Sequence, residues 1–529
     1  MNRLELTWLN KHKPMNLEPR IMLNDKSKNY GDMNTENLLI HGDNLLALKA
    51  LEQKYWGQVK CCYADVPYNT GSAFEHYEDN LEHSTWLNLM RPRIEIMHNL
   101  LSPSGTLWVT LDDHEVHYLK VLIDEVFGRS NFVANVIWEK SDSPRMDVKT
   151  FSSRHDHILV YAKDIANVTI NRLENESGEA PSHYNKTDSA GRLYYLKPLR
   201  SMGKNDAREA RPNLYYAMIA PDGSEVYPIR TDGSDGNWRW SRDKVNRDNE
   251  HIEWVDGRNG WVPYYRIYAD ANSQRPPETI WFHQDVGSNR TSKAEIKGIF
   301  NDDKSFETPK PESLIKRVLD IATNPDDLIL DAFLGSGTTA AVALKMRRKF
   351  IGIELGNHCY THCIPRLNAV IDGTDQGGIT KSQNWTGGGG YKFYELAPSL
   401  LQKDARGFYV INKEYNADMM AAAMAMHEGY TYAPDPEVYW KQGYSSERSF
   451  IYTTTNFLTV EYLDMIRREM KKGEHLLICC KRMEERTKKE YREITVRKIP
   501  NVLLGRCEYG NEDYSLNIDT VLKGVIDNE

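Results

Sequence analysis

Apolar residues along this chain fall into two alternating patterns, short continuous runs and longer stretches at helical spacing. The alternation begins near Leu38. QVKCCYAD (58–65) reads as a buried strand followed by the turn PYNTGS. In 84–101, Trp86, Leu87, Met90, Ile94 and Met97 recur with the period of a helix. TLWVTLDD (106–113) reads as a second strand, HEVHYLKVLIDEVFG (114–128) as an amphipathic helix stopped by Gly128, and NFVANVIWEK (131–140) and HILVYAK (157–163) as further strands. The rhythm lapses over about 164–300. It returns with PESLIKRVLDIA (311–322, helix), DLILDAF (327–333, strand), GTTAAVALKMRR (337–348, helix), KFIGIEL (349–355, strand) and a helix to about 371. Repeated strand–helix alternation predicts an α/β fold with a parallel, doubly wound sheet.

Five segments follow from the same pattern: a polar N-terminal arm (1–35), a first half of the α/β core (36–163), an insert (164–300), a second half (301–395), and a mixed α/β region (396–529) beyond the glycine run Gly387 to Gly390. The insert carries Trp238, Trp240, Trp254, Trp261, Tyr264 and Tyr265, too many aromatics for a disordered linker, so it is expected to form a domain of its own. No internal repeat is evident.

Composition narrows this picture. With 529 residues, 40% hydrophobic and 27% charged, the chain fits about three ordinary domains. No apolar run approaches the ~18 residues of a membrane span, and the start lacks the apolar centre of a signal peptide, so no membrane association and a cytoplasmic location are expected. Seven cysteines without CxxC spacing argue against a disulfide framework or a four-ligand zinc site. Cys61, Cys62, Cys479 and Cys480 read as small core hydrophobes, Cys359, His362 and Cys363 as residues of a helix face, and no metal is expected. The net charge of −8 points away from nucleic acid.

Two motifs bear chemistry. In DAFLGSGTTA (331–340) a strand ends in a glycine turn that opens a helix, and Glu354 closes the following strand. Strand, turn, helix, strand and acid form the general architecture for an adenosine cofactor, and the glycine spacing alone also fits a nicotinamide dinucleotide. In ADVPYNTGS (64–72), Asp65, Val66, Pro67 and Tyr68 follow one another at another strand end. The exocyclic nitrogen of an aromatic amine is a poor nucleophile, because its lone pair is delocalised. A carboxylate and a backbone carbonyl accepting its two N–H bonds draw it toward tetrahedral geometry, and the carboxylate can receive the released proton. An adjacent aromatic ring can stack on a base taken out of a duplex.

Together these motifs make the chain resemble the β-class of amino-methyltransferases that use S-adenosylmethionine, specifically the modification subunits of type III restriction–modification systems. DVPYNTG is similar to the catalytic DPPYNTG of that family. NLLIHGDNLLALKAL (37–51), LWVTLDDHE, HDHILVYAK, FETPKPESLIKRV (306–318), DAFLGSGTT and FIGIEL match its other segments, and catalytic motif, insert, cofactor motif is the β-class order. The resemblance implies a Rossmann-like, circularly permuted methyltransferase with an inserted target-recognition domain. It assigns Asp65, Val66, Pro67 and Tyr68 to catalysis, and Asp43, Lys310, Asp331, Phe333, Gly335, Ser336, Gly337, Thr338 and Glu354 to S-adenosylmethionine, with Asp43 at the adenine, Lys310 near the methionine carboxylate and Glu354 on the ribose. Val66 departs from the family's proline. Its carbonyl remains, but the fixed φ of proline is lost. An acid at position 65 goes mostly with N6 of adenine. Two alternatives stay open, N4 of cytosine and a non-catalytic recognition subunit.

The insert is near neutral but has basic runs, Lys197 to Arg211 and Arg239 to Arg247, the second beside two tryptophans. Lys and Arg neutralise phosphates and aromatics stack on bases, so Arg200, Arg211, Trp238, Arg239, Trp240 and Arg242 are candidate contacts to double-stranded DNA. For the C-terminal region the resemblance implies homodimerisation or a helicase–nuclease restriction subunit as partner.

Overall fold

The structure is a computed structural model and describes residues 5–69, 82–173, 184–257, 260–269, 274–300, 306, 308–488 and 491–514. The Thr70–Ser72 end of the PYNTGS turn lies outside the described residues. Two compact units are present, one formed by 1–171 with 278–529 and the other by Arg172–Pro277.

The larger unit is built on one sheet. Its strands are β1 (Met22–Asn24), β2 (Leu38–His41), β3 (Val59–Asp65), β4 (Leu101–Leu111), β5 (Phe132–Glu139), β6 (His155–Ala162), β7 (Ile280–Trp281), β8 (Leu328–Asp331), β9 (Lys349–Glu354) and β10 (Gly390–Leu396). They lie in the order β1-β10-β2-β9-β8-β3-β4-β6-β5-β7, and Tyr30–Gly31 also pairs with β10. From β10 to β4 every pairing is parallel. Strand β8 lies between β9 and β3, with Asp331 level with Gly352 on one side and Tyr63 on the other. The two halves of the chain thus meet at a switch point, where the carboxyl ends of β3 and β8 open a crevice.

The helices cover this sheet as their spacing predicts. Those that position the site are α1 (Asn44–Tyr55), α2 (His83–Leu100), α3 (Val116–Ile123), α4 (Glu312–Ala322), α5 (Thr338–Lys345) and α6 (Ile364–Ile371). Trp86, Leu87, Met90, Ile94 and Met97 of α2 all face the core, beside Cys62 of β3 and Leu107 of β4. Cys61, Cys62, Cys479 and Cys480 are buried strand residues, and Cys359 and Cys363 are buried in the helical turn before α6.

Three expectations need correction. The sheet is not wholly parallel: β6 runs antiparallel to both β4 and β5. The link from β5 to β6 contains no crossover helix, so the chain returns as in a hairpin. Residues 1–35 are not a loose arm among the described residues. Strand β1 pairs with β10, and Glu18 and Arg20 are each 1% exposed, with Arg20 donating to Glu18 (2.9 Å) and to the carbonyl of Ala397 (2.9 Å). The compact insert is Arg172–Pro277, narrower than 164–300, because β7 returns to the main sheet beside β5.

The C-terminal region has a five-stranded sheet of its own, with Ser449–Leu458, His475–Met483 and Ile494–Lys498 parallel and two short antiparallel strands, Thr431–Tyr432 and Gly443–Ser446. It belongs to the same compact unit as the main sheet. The smaller unit holds Lys186–Thr187, Leu193–Pro198, Ile252–Gly257 and Gly260–Tyr268 in one antiparallel sheet over Leu199, Tyr216, Met218 and Trp238. No described helix is long and apolar enough to cross a membrane.

Candidate active site

Strand β3 delivers Asp65 to the crevice. Its Oδ2 accepts a hydrogen bond from Lys310 Nζ at 2.5 Å. Its Oδ1 is shielded from solvent and has no hydrogen-bond partner among the described residues. An unsatisfied buried oxygen costs about 1–3 kcal/mol, so this atom marks a place for an incoming donor. Burial raises the Asp65 carboxyl above its ordinary range, and the Lys310 ammonium works against that rise. Lys310 therefore stands beside Asp65 at the DVPY turn.

The turn after Asp65 is tied down from outside the motif. Val66 is buried. The carbonyl of Pro67 accepts from the indole of Trp86 at 2.9 Å, which anchors the turn to α2. Tyr68 donates its hydroxyl to Asp156 (3.0 Å), whose other oxygen accepts from Lys140 Nζ (2.6 Å). The Lys310 ammonium lies 5.1 Å from the centre of the Tyr68 ring. Trp86, Lys140 and Asp156 were not singled out from the sequence. Asp156 sits in HDHILVYAK, where an acid at the head of a buried run is the available signal: a strand that buries a polar side chain requires a partner for it.

On the neighbouring strand, Asp331 Oδ1 accepts from the backbone N–H of Phe333 at 2.9 Å, and burial pushes its carboxyl up to about 7. Gly335 and Gly337 adopt φ of +57° and +82°, which favours residues without a Cβ. A Cβ on Gly337 would also meet Cys363 Cα at 3.4 Å. Glu354 ends β9 and closes the turn, its Oε2 accepting from Gly335 N (2.7 Å) and its Oε1 from Gly356 N (2.8 Å). Phe333 is partly buried against the sheet core. Asp43 caps α1, accepting from Leu46 N (3.0 Å) and from the backbone N–H of Tyr514 (2.9 Å). Asn44 beside it donates to the carbonyl of Ala332 at 2.8 Å, so the start of α1 touches the DAFLGSG turn. The residues assigned to a cofactor thus lie around one turn, Lys310 excepted. Ser336 and Thr338 point inward, and Thr338 accepts from Arg366 at 2.8 Å.

Beneath the turn lies a buried charge network. Lys345 Nζ contacts Glu312 (2.7 Å) and Asp375 (2.7 Å), and Arg366 bridges Glu312 (2.9 Å) to Thr338. Burial opposes ionisation of Asp375, but the Lys345 ammonium outweighs it and holds the carboxyl below its ordinary range. The glycine turn is therefore braced by α4, α5 and α6 at once.

The insert corrects part of the sequence reading. Trp238 is 2% exposed and donates its indole N–H to the carbonyl of Tyr216 at 2.8 Å, so it is a core residue and does not face a ligand. Trp240 is partly buried against the same cluster. Arg200 and Arg239 are partly buried and donate to backbone carbonyls, of Ser201 (3.3 Å) and Pro198 (3.2 Å). Arg211 and Arg242 are exposed.

The family model described as DNA methylase (N6 and N4) matches residues 59–364, which includes both motifs. The chain is 32% identical to the probable type III restriction-modification enzyme HindVI Mod subunit of Haemophilus influenzae, over 69% of this chain and 54% of that protein. It is 29% identical to the type III restriction-modification enzyme EcoPI Mod subunit of Escherichia phage P1, over 66% of this chain and 62% of that one. To the type II methyltransferase M.KpnI of Klebsiella pneumoniae it is 30% identical, over 60% and 79%. The chain spans about half to three fifths of the length of the two type III relatives. With a family model spanning more than half its length and both motif turns set at one crevice, this chain belongs to the N6/N4 DNA methylase family.

Proposed function

We propose that this chain transfers a methyl group from S-adenosylmethionine to N6 of an adenine flipped out of double-stranded DNA, as the modification subunit of a type III-like restriction–modification system. The supporting observation is Asp65, an acid with one shielded, unpartnered oxygen at the crevice beside the braced glycine turn. The residues around that turn fit the cofactor. Glu354 offers a carboxylate at the end of β9 for ribose hydroxyls, and the glycines keep side chains out of the approach. S-adenosylmethionine, when bound, supplies an activated methyl group.

The rest of the chemistry belongs to the chain. Asp65 Oδ1 accepts one N–H of the adenine amine and the Val66 carbonyl accepts the other, which concentrates the lone pair on nitrogen. Tyr68 offers its ring to the extruded base, with its hydroxyl held by Asp156. The proton lost from nitrogen passes to Asp65, directly or through water. Lys310 keeps that carboxylate available by opposing the effect of burial. Exposed Arg211 and Arg242 of the insert are the candidate phosphate contacts that remain. A homodimer and a helicase–nuclease restriction subunit are the partners this reading entails.

Expression in a methylation-free host, followed by sequencing that detects methylated bases, should find adenine modified in one asymmetric motif. A chain that binds S-adenosylmethionine but modifies no motif would sink the proposal, and label on cytosine N4 would overturn the choice of base.

Val66 contributes its carbonyl, and the turn it belongs to is already fixed by Trp86 and by burial. Val66→Pro should therefore change the rate of transfer by less than about threefold, since a proline mainly removes backbone freedom worth about 0.4–1 kcal/mol. A gain of a hundredfold in a radiolabelled transfer assay would instead show that the valine silences the site.

A further inference from the structure

Between β5 and β6 the chain crosses residues 140–154 without helix or strand. Both ends of this loop are fastened. Lys140 Nζ binds the Asp156 carboxylate that accepts the Tyr68 hydroxyl. Arg154 donates to the carbonyl of Ser141 (3.1 Å) and to Glu139 (2.5 Å). Arg145 N also donates to Ser152 Oγ at 2.7 Å, pinching the loop across its width. Sheet register fixes where it projects. Asp65 is level with Thr110 of β4, and Thr110 with Ile158 of β6, so the loop leaves the sheet at the rim that carries Asp65.

The tip of the loop is exposed throughout 143–151. Phe151 is 95% exposed, Met146 92% and Val148 40%. Single exposed apolar residues are ordinary. Two large ones standing almost wholly in water on one pinched loop forgo the burial that such side chains ordinarily find. Exposed Arg145, Asp147 and Lys149 alternate with them, so the tip keeps one net positive charge. The matching partner is a polyanion with an apolar interior, and a duplex has both, in its phosphates and its base stack. A base that leaves the stack opens a gap that an apolar side chain can fill.

We propose that residues 140–154 form a wedge that places Phe151, supported by Met146, in the base stack beside the extruded adenine, with Arg145 and Lys149 on the flanking phosphates. The proposal rests on the methyl-transfer reading above. It also gives Lys140 and Asp156 a second task, since they join the root of the wedge to the tyrosine that receives the base.

The test uses the full chain and short duplexes carrying the motif found in the wild-type methylome. Phe151→Ala should slow transfer to the matched duplex about tenfold or more, because base opening loses its filler. An abasic site opposite the target adenine should restore the rate to within about threefold of wild type, since the pair no longer has to be broken. Circular dichroism and melting temperature should not change, as the side chain is in water. Equal rates for variant and wild type on the matched duplex would overturn the wedge, as would equal losses on both duplexes. Loss of a protein partner with unchanged rates would overturn it in favour of a docking loop. A wild type that transfers no methyl group fails the methyl-transfer reading itself, whereas a wild type that transfers and a Phe151→Ala that matches it fail the wedge alone.

Discussion

Asp65→Ala is expected to reduce methyl transfer by about 10³-fold or more while leaving the affinity for S-adenosylmethionine within about threefold of the parent. The carboxylate ends β3 at the crevice with one oxygen shielded from water and without a hydrogen-bond partner among the described residues. Its removal takes away both the acceptor that localises the amine lone pair and the receiver of the proton. The glycine turn does not depend on it, because Glu354 holds that turn from β9. Initial rates with labelled cofactor and calorimetric binding separate the two quantities, and loss of both would show that Asp65 supports the cofactor site instead. The same carboxyl should reveal its neighbour. Burial raises it and Lys310 lowers it, so Lys310→Met leaves burial unopposed. A group that must be ionised then loses activity at higher pH on acidification, and the acid limb of the pH–rate profile should move upward.

The second large effect is on stability. Lys345 lies with Glu312 and Asp375 where no water reaches, with side-chain exposures of 0%, 1% and 2%. Replacing it by Met leaves Asp375 without its contacting cation and Glu312 with Arg366 alone, which costs about 3–5 kcal/mol for a buried pair broken on one side. For a unit of this size that corresponds to a fall of about 3–6 °C in melting temperature. The double replacement with Asp375→Met should recover part of the loss, because it removes the carboxylate left unpaired while Glu312 keeps Arg366 as its counter-charge. A single variant that melts within about 2 °C of the parent would mean that the cluster is wetter than its burial indicates.

Much of the main unit was legible in the sequence because its strands are buried on both faces and end in turns with unusual residues. VKCCYAD and LILDAF are legible as strands from their apolar runs, and the turns that follow them as the places of the chemistry. Direction was not legible. HILVYA buries residues on both faces, and such a run reads the same whichever way the strand points, so the pattern alone does not show that β6 is antiparallel. Strand β1 contributes MLN, too short for any period to show. Aromatic and basic residues in the insert were ambiguous for a different reason: a Trp beside an Arg looks alike in a small core and on a nucleic-acid surface. Only burial separates Trp238 from Arg242. The braces of the site, Trp86, Lys140 and Asp156, each sit far along the chain from what they hold; an acid inside a buried strand shows that Asp156 needs a partner, but spacing does not show which.

Placing β8 between β3 and β9 has a consequence for how the protein is made. Strand β3 leaves the ribosome early, yet the neighbour that completes its pairing is residues 328–331, and β1 likewise waits for 390–396. Until those residues emerge, the first half of the sheet carries an open parallel edge of buried-type residues, the kind of edge that pairs with other chains when left exposed. The insert, a compact unit between the halves, can fold during that interval. The crevice therefore cannot form before β8 has emerged, and a chain interrupted before β8 ends as an aggregation hazard.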